Sequence, residues 1–235
     1  MKEIKVPVLD KGYVRYINHI GSDLDIVNVA RTSFKKESTV LSDKDEQLLN
    51  YCMREGHFSV LRHAVYSFEL KAPLMVTNQF WKHIVASTHT VEQNGWNENS
   101  QRYVTLDHEF YAPTTWRKAA KSKKQGSEGV IDKDRGKYYT ELLLENQATL
   151  LQTYNQALEE GIAPEQARLF LPAYGLYITW RWSVSLEGLL NFLVQRLDDH
   201  AQFEIRQYAE VIKEIVLKDF PAAAKYYLKY NGVKV

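Results

Sequence analysis

Two stretches far apart in the chain alternate apolar and polar residues, and together they limit the folds open to it. In residues 64–71, Tyr66, Phe68 and Leu70 fall on one side, and Val65, Ser67, Glu69 and Lys71 on the other. In residues 174–183, Leu176, Ile178, Trp180 and Trp182 share a side against Tyr177, Thr179 and Arg181. A two-residue period is that of a strand with one face in a core. Elsewhere the apolar period is helical, and no repeat or linker interrupts the chain. The expectation is a mixed α/β (α+β) fold, one domain over residues 1–235, with a central sheet flanked by helices.

Residues 2–8 and 12–20 are expected as strands joined at the turn Asp10-Lys11-Gly12. Ser22 and Ser42 each open a helix, with Asp25 and Asp45 at the capping-box position. Leu24, Val27 and Ala30 are expected on the buried side of the first helix. The second buries Leu48, Leu49, Cys52 and Met53 and stops at Gly56. Residues 57–63 read as a loop. Pro73 is placed in the first turn of a helix reaching about residue 86, and 104–111 as a strand. Residues 112–136 read as a mobile surface loop, followed by a helix over about 137–160. A short helix starts at Pro164 and is ended by Pro172. Ser185 caps a helix carrying Asn191, Arg196 and His200, with the pattern continuing to about Leu217 with or without a break. Pro221 starts the last helix.

A formal net charge of +1 over 235 residues gives no global signal for nucleic acid or an anionic membrane. No apolar run approaches the ~18 residues of a membrane span. The start M-K-E-I-K-V-P-V has no signal-peptide pattern, and the lone Cys52 excludes an intrachain disulfide. These point to a cytoplasmic protein. Cys52 sits in an apolar stripe and reads as a core thiol. The five basic residues between Arg117 and Lys124 suit either a phosphate or a solvated face.

Nucleotide-binding glycine motifs, C-x-x-C pairs and a G-x-S-x-G elbow are absent. His57, His63, His83 and His89 have no carboxylates spaced to join them on a metal, so no metal site is expected. The hydrogen-bonding groups concentrate in Gln79–Tyr103. There Gln79, Lys82 and His83 share a helix face at i, i+3 and i+4. The run N-E-N-S-Q-R-Y (97–103) sets Glu98, Ser100 and Arg102 at alternate positions. Arg102 offers a fork to a phosphate, Ser100 a short donor, and Glu98 an acceptor for a sugar hydroxyl or ring N–H. In N-F-L-V-Q-R-L-D-D-H-A-Q-F-E (191–204), Arg196 can face His200, or Arg196, Asp199 and His200 can form an ion network.

These segments carry a resemblance. The H-x-x-x-x-x-H of 57–63, A-P ahead of Q-F-W-K-H, N-E-x-S-x-R-Y, P-x-x-A-R ending at L-P, and N-F-L-x-x-R-x-D-x-H-A-Q-x-E-I follow one another from about residue 5 to 230. Together they resemble flavin-dependent thymidylate synthases, with their thymidylate synthase-complementing fold. The resemblance implies a homotetramer with FAD between subunits. It implies reductive methylation of dUMP to dTMP, with methylenetetrahydrofolate as carbon donor and NADPH as reductant. Gln79, Lys82, Glu98, Ser100, Arg102, Arg168 and Arg196 would hold dUMP, with Arg196 and Ser100 catalytic. Ser59, Lys82, His83, Glu98, Ser185 and Asn191 would contact FAD, with His57 near the flavin and folate. The alternative is a non-catalytic family member that binds nucleotide and has an impaired flavin site.

The chain departs from the family pattern in three places. Lys82-His83-Ile84 replaces the basic triplet Arg-His-Arg. About eight residues, Thr88 to Gly95, are inserted before Asn97. Ser185 and Glu187 stand where Asn and Arg are usual. All three fall on the expected flavin side. The inserted loop is expected to replace lost FAD contacts through His89, Glu92 or Gln93.

Overall fold

The computed structural model describes residues 4–85, 95–99, 108–121 and 126–235. The two alternating stretches are the centre of the sheet. They form β3 (Val65–Pro73) and β7 (Tyr177–Ser185), paired antiparallel with Tyr66 opposite Val184, Phe68 opposite Trp182 and Leu70 opposite Trp180. β1 (Ile4–Val8) and β2 (Gly12–Ile20) extend the sheet on one side, and β4 (Gly95–Glu98) closes the other. The order is β1-β2-β3-β7-β4, with antiparallel neighbours throughout. A register shift between Tyr16 and Asn18 interrupts the pairing of β2 with β3, which resumes at Asn18 opposite Ser67.

One face of the sheet is apolar and lies under helices. Tyr66, Phe68, Leu70, Trp180 and Trp182 are buried there with Phe80 of α3 (Leu74–Val85) and Phe192 of α6 (Leu186–Arg196). Phe80 stacks on Phe192, with centroids 4.6 Å apart. Tyr208 and Ile212 of α7 (Phe203–Asp219) close the same core. The other face carries charge: Glu69 takes Arg15, Arg181 and the Tyr13 hydroxyl. This polar side is why β3 and β7 alternate rather than running continuously apolar.

Ser22 and Ser42 start α1 (Asp23–Arg31) and α2 (Asp43–Arg54) with the aspartate pairing expected. The buried side of α1 is Asp23, Ile26 and Val27, so Leu24 and Ala30 are only partly covered. Asp23 is inside because it accepts from the backbone N–H of Ala222 and Ala223, at 2.8 and 2.9 Å. These precede and open α8 (Ala223–Tyr230).

Other expectations are corrected. Residues Phe58–His63 form a 3-10 helix, not a loop. Pro73 ends β3, and α3 begins one residue later. The basic segment contains a hairpin of β5 (Arg117–Ala119) and β6 (Ser127–Val130). α4 (Lys133–Glu159) starts four residues early because Asp132 caps it, accepting from the N–H groups of Asp134 and Arg135. The short α5 (Pro164–Ala167) packs with α4 around Phe110 and Tyr154. α6 stops at Arg196, so His200 lies on the 197–202 turn ahead of α7. Of the strand expected at 104–111, only 108–111 are described, with a single bridge from Phe110 to Leu176. Among the described residues no helix is long and apolar enough to cross a membrane.

Candidate active site

The polar stripe of α3 meets the C-terminal end of α6. Phe80 and Val76 turn inward on α3, which leaves Gln79, Lys82 and His83 along its rim. On α6, buried Leu189, Phe192 and Leu193 hold the helix down and bring Arg196 to the same place. Arg196 Nε donates to Nε2 of His83 across 3.1 Å. His83 packs edge-on against Phe192, with centroids 5.1 Å apart. Burial first, and then the neighbouring guanidinium, push His83 down to about 4. The ring is therefore neutral at pH 7 and free to accept. Burial also lowers the pKa of Arg196, and among the described residues no carboxylate pairs with it.

The turn after α6 and the hairpin complete the wall. A cavity of about 610 Å³ is lined by Gln79, Lys82, Arg117, Arg196, His200 and Gln202, with Gly126, Ser127, Ala201 and Phe203. A second, more apolar cavity of about 700 Å³ adjoins it, lined among others by Met75, Tyr111, Trp116, Leu143 and Tyr174. The two share Arg117, Gly126, Ser127 and Gln202. Buried Glu204 lines the second cavity, with Arg117 Nη2 at 2.7 and 2.8 Å from its two oxygens. Burial works to raise the Glu204 pKa, but hydrogen bonds from Arg117 and Gln202 outweigh it and leave the group below the usual carboxylate range.

Glu98 sits on β4 opposite Trp180. β4 is held there by aromatic packing: Trp96 stacks on Trp180 at 4.9 Å and meets Trp81 edge-on at 5.2 Å. Partial burial raises the Glu98 pKa, opposed by the Trp96 hydrogen bond and the charge of Arg168.

The other expected residues are spread out. His57 is exposed and stacked on Tyr51, and Ser59 is exposed on the 3-10 turn. Asn191 is exposed on α6 and accepts from Gln195. Ser185 is fully buried, and its Oγ accepts the Gly188 N–H as the cap of α6. Glu187 is ion-paired with Arg62, so a guanidinium still occupies that corner, supplied from residue 62. Ser100 and Arg102 lie outside the described residues, as do Thr88–Asn94 of the insertion with His89, Glu92 and Gln93. Arg196, Asp199 and His200 do not form one network: Asp199 pairs with Arg206, and His200 with Asp198.

Arg117, Gln202 and Glu204 were not legible as site residues. Arg117 falls in a basic run that reads as a mobile loop, and the other two in a motif that gives them no role. The signal for Gln202 and Glu204 was the polar run H-A-Q-F-E, residues 200–204, and for Arg117 the basic cluster that suits either a phosphate or a solvated face.

The family model for thymidylate synthase complementing protein matches residues 15–222. The chain belongs to that family. It is 40% identical over 220 residues to a flavin-dependent thymidylate synthase of Thermus thermophilus, covering 94% of this chain and 77% of the relative. It is 38% identical over 227 residues to that of Thermotoga neapolitana, covering 97% and 95%. The fold matches a UMP/dUMP methylase, PolB from Streptomyces cacaoi, solved with 5-Br UMP. That match has a TM-score of 0.81 at 23% identity, over 98% of this chain and 99% of the other.

Proposed function

We propose that this thymidylate synthase complementing family member methylates dUMP reductively to dTMP, with FAD, methylenetetrahydrofolate and NADPH. The observation that carries the reading is Arg196: a half-buried guanidinium on a cavity wall, tethered at Nε by neutral His83 and left without a carboxylate among the described residues. Such a group calls for an electron-rich ligand. The uracil N3–C4 edge placed against its Nη atoms would have charge developing on the ring stabilised by a fixed cation. Gln79 and Lys82 line the same wall. Glu98 and Arg168 suit the sugar and phosphate, with Ser100 and Arg102 following β4 in the chain.

The chain's groups fit a flavin beside this cavity. Lys82 supplies a cation, His83 a neutral edge, and Asn191 an exposed amide on the adjoining helix. His57 and Ser59 present further exposed polar groups. Ser185 would act through its cap of α6. The flavin, when bound, carries the hydride and the one-carbon unit. The protein binds dUMP, orients its ring and holds compensating charge.

The exposed apolar side chains of α4, Tyr138, Leu142 and Leu150, with Leu169 and Tyr174 nearby in the chain, support subunit contact. A homotetramer with FAD between subunits would cover them. Cys52, buried with its thiol pKa raised by burial, suits a reducing cytoplasm.

The test is direct. The purified protein should be yellow, oxidise NADPH faster when dUMP is added, and form dTMP when methylenetetrahydrofolate is also present. Tight dUMP binding without flavin absorbance or dTMP would identify a non-catalytic nucleotide binder instead.

A further inference from the structure

Glu204 fixes the polarity of a chain of amides that ends on the cavity. Its carboxylate receives Arg117 Nη2, the Tyr111 hydroxyl at 3.2 Å and Gln202 Nε2 at 2.9 Å. An ionised carboxylate only accepts. Gln202 must therefore turn Nε2 toward Glu204 and keep Oε1 for its other neighbour. That neighbour is Gln79, whose Nε2 lies 2.7 Å from Gln202 Oε1. Gln79 Nε2 also lies 3.3 Å from the carbonyl oxygen of Met75, which likewise only accepts. The two ends of the chain impose the same orientation. Both N–H groups of Gln79 are then used within the protein, and what it offers the cavity is Oε1 alone.

We propose that Glu204 is a positioning residue, which through Gln202 locks Gln79 as an acceptor that reads a hydroxyl or ring N–H of the nucleotide and not its phosphate. This rests on the dUMP reading above. dUMP has two such donors, the 3′-hydroxyl and N3–H. An anionic phosphate oxygen facing Oε1 would meet a second acceptor with no proton between them. The cations on the same wall, Lys82 and Arg196, are the groups suited to negative charge.

Gln202→Met cuts the relay without unpairing Arg117, and Glu204→Gln removes the accept-only constraint. In ¹⁵N-labelled, ligand-free protein, the Gln79 side-chain amide is assigned by its loss in Gln79→Ala. It should exchange its hydrogens at least about tenfold faster in both relay variants than in the wild type. Calorimetry with dUMP, N3-methyl-dUMP and 2′,3′-dideoxyuridine monophosphate supplies the second reading. The wild type should bind one analogue about tenfold or more weakly than dUMP, and Gln202→Met should shrink that penalty to about threefold or less. Unchanged exchange, an undiminished penalty, or a wild type that ignores both missing donors overturns the proposal. Absence of any nucleotide binding defeats the dUMP reading instead, and the exchange rates alone then judge the relay. If Glu204→Gln does not fold, Gln202→Met decides.

Discussion

The bond from Arg196 Nε to His83 Nε2, at 3.1 Å, ties the charge state of one residue to the direction of the other. A protonated imidazole would have no lone pair to offer, so the guanidinium keeps its aim only while His83 is neutral. The His83 pKa of about 4 secures that across the physiological range.

The same shift makes stability depend on pH. An unfolded histidine titrates near its ordinary value of 6.5, while folded His83 takes up its proton only near 4. Between these values the unfolded chain binds more protons, so stability rises with pH. It is fully present above about 6.5 and lost as pH falls toward about 4. For a partly exposed ring the loss should be about 2 kcal/mol. Urea unfolding at a series of pH values should show it in the wild type and show a shallower slope in His83→Gln. Equal slopes would remove His83 as the source.

Arg196→Ala should lower dTMP formation by at least about a thousandfold, as for loss of a group that stabilises developing charge. The fold should survive, because Leu189, Phe192 and Leu193 supply the packing of α6. Arg196→Lys should fall between, keeping charge and losing the fork. Near-normal turnover by the alanine variant, with an unchanged circular dichroism spectrum, would refute the role.

Gly12, the first residue of β2, has no room for a side chain. A Cβ there would lie 2.0 Å from the Tyr208 hydroxyl, 2.6 Å from the Lys71 carbonyl oxygen and 2.8 Å from that of Val8. Tyr208 is itself bonded to Lys71 O at 2.7 Å, so it cannot step aside without losing a partner. Gly12→Ala should cost about 2–3 kcal/mol in urea unfolding, and a cost below about 0.5 kcal/mol would show that this corner yields.

Asp23→Ala should cost about 2–4 kcal/mol, since it strands the N–H groups of Ala222 and Ala223 in the interior. Asp23→Asn should cost less than half as much. Its amide keeps one acceptor and escapes the burial that holds the Asp23 pKa above its ordinary value despite two hydrogen bonds. Comparable losses for the two variants would show that the charge, not the acceptor, matters.

Much of the fold was legible because its signals are local. The alternation in β3 and β7, the serine–aspartate caps of α1 and α2, and the stop at Gly56 each depend on neighbours in sequence. The errors came where a distant partner decided. Asp23 had no role in the local pattern, and it is buried because the start of α8, about 200 residues on, comes to it. The Arg117 strand looked mobile because its counter-charge, Glu204, belongs to a helix far along the chain, α7.

The sequence by itself determined the sheet–helix alternation, the family, and the polar stripe Gln79, Lys82 and His83, because strand and helix periods fix which residues share a face. Only the tertiary structure decided what that stripe meets. It set Arg196 on His83 and ran Gln79 through Gln202 to a buried carboxylate. The contacts from Arg196 to His83 and from Gln79 to Gln202 span more than 100 residues, and hydrogen-bond polarity over such a separation is fixed only when packing brings donor and acceptor together.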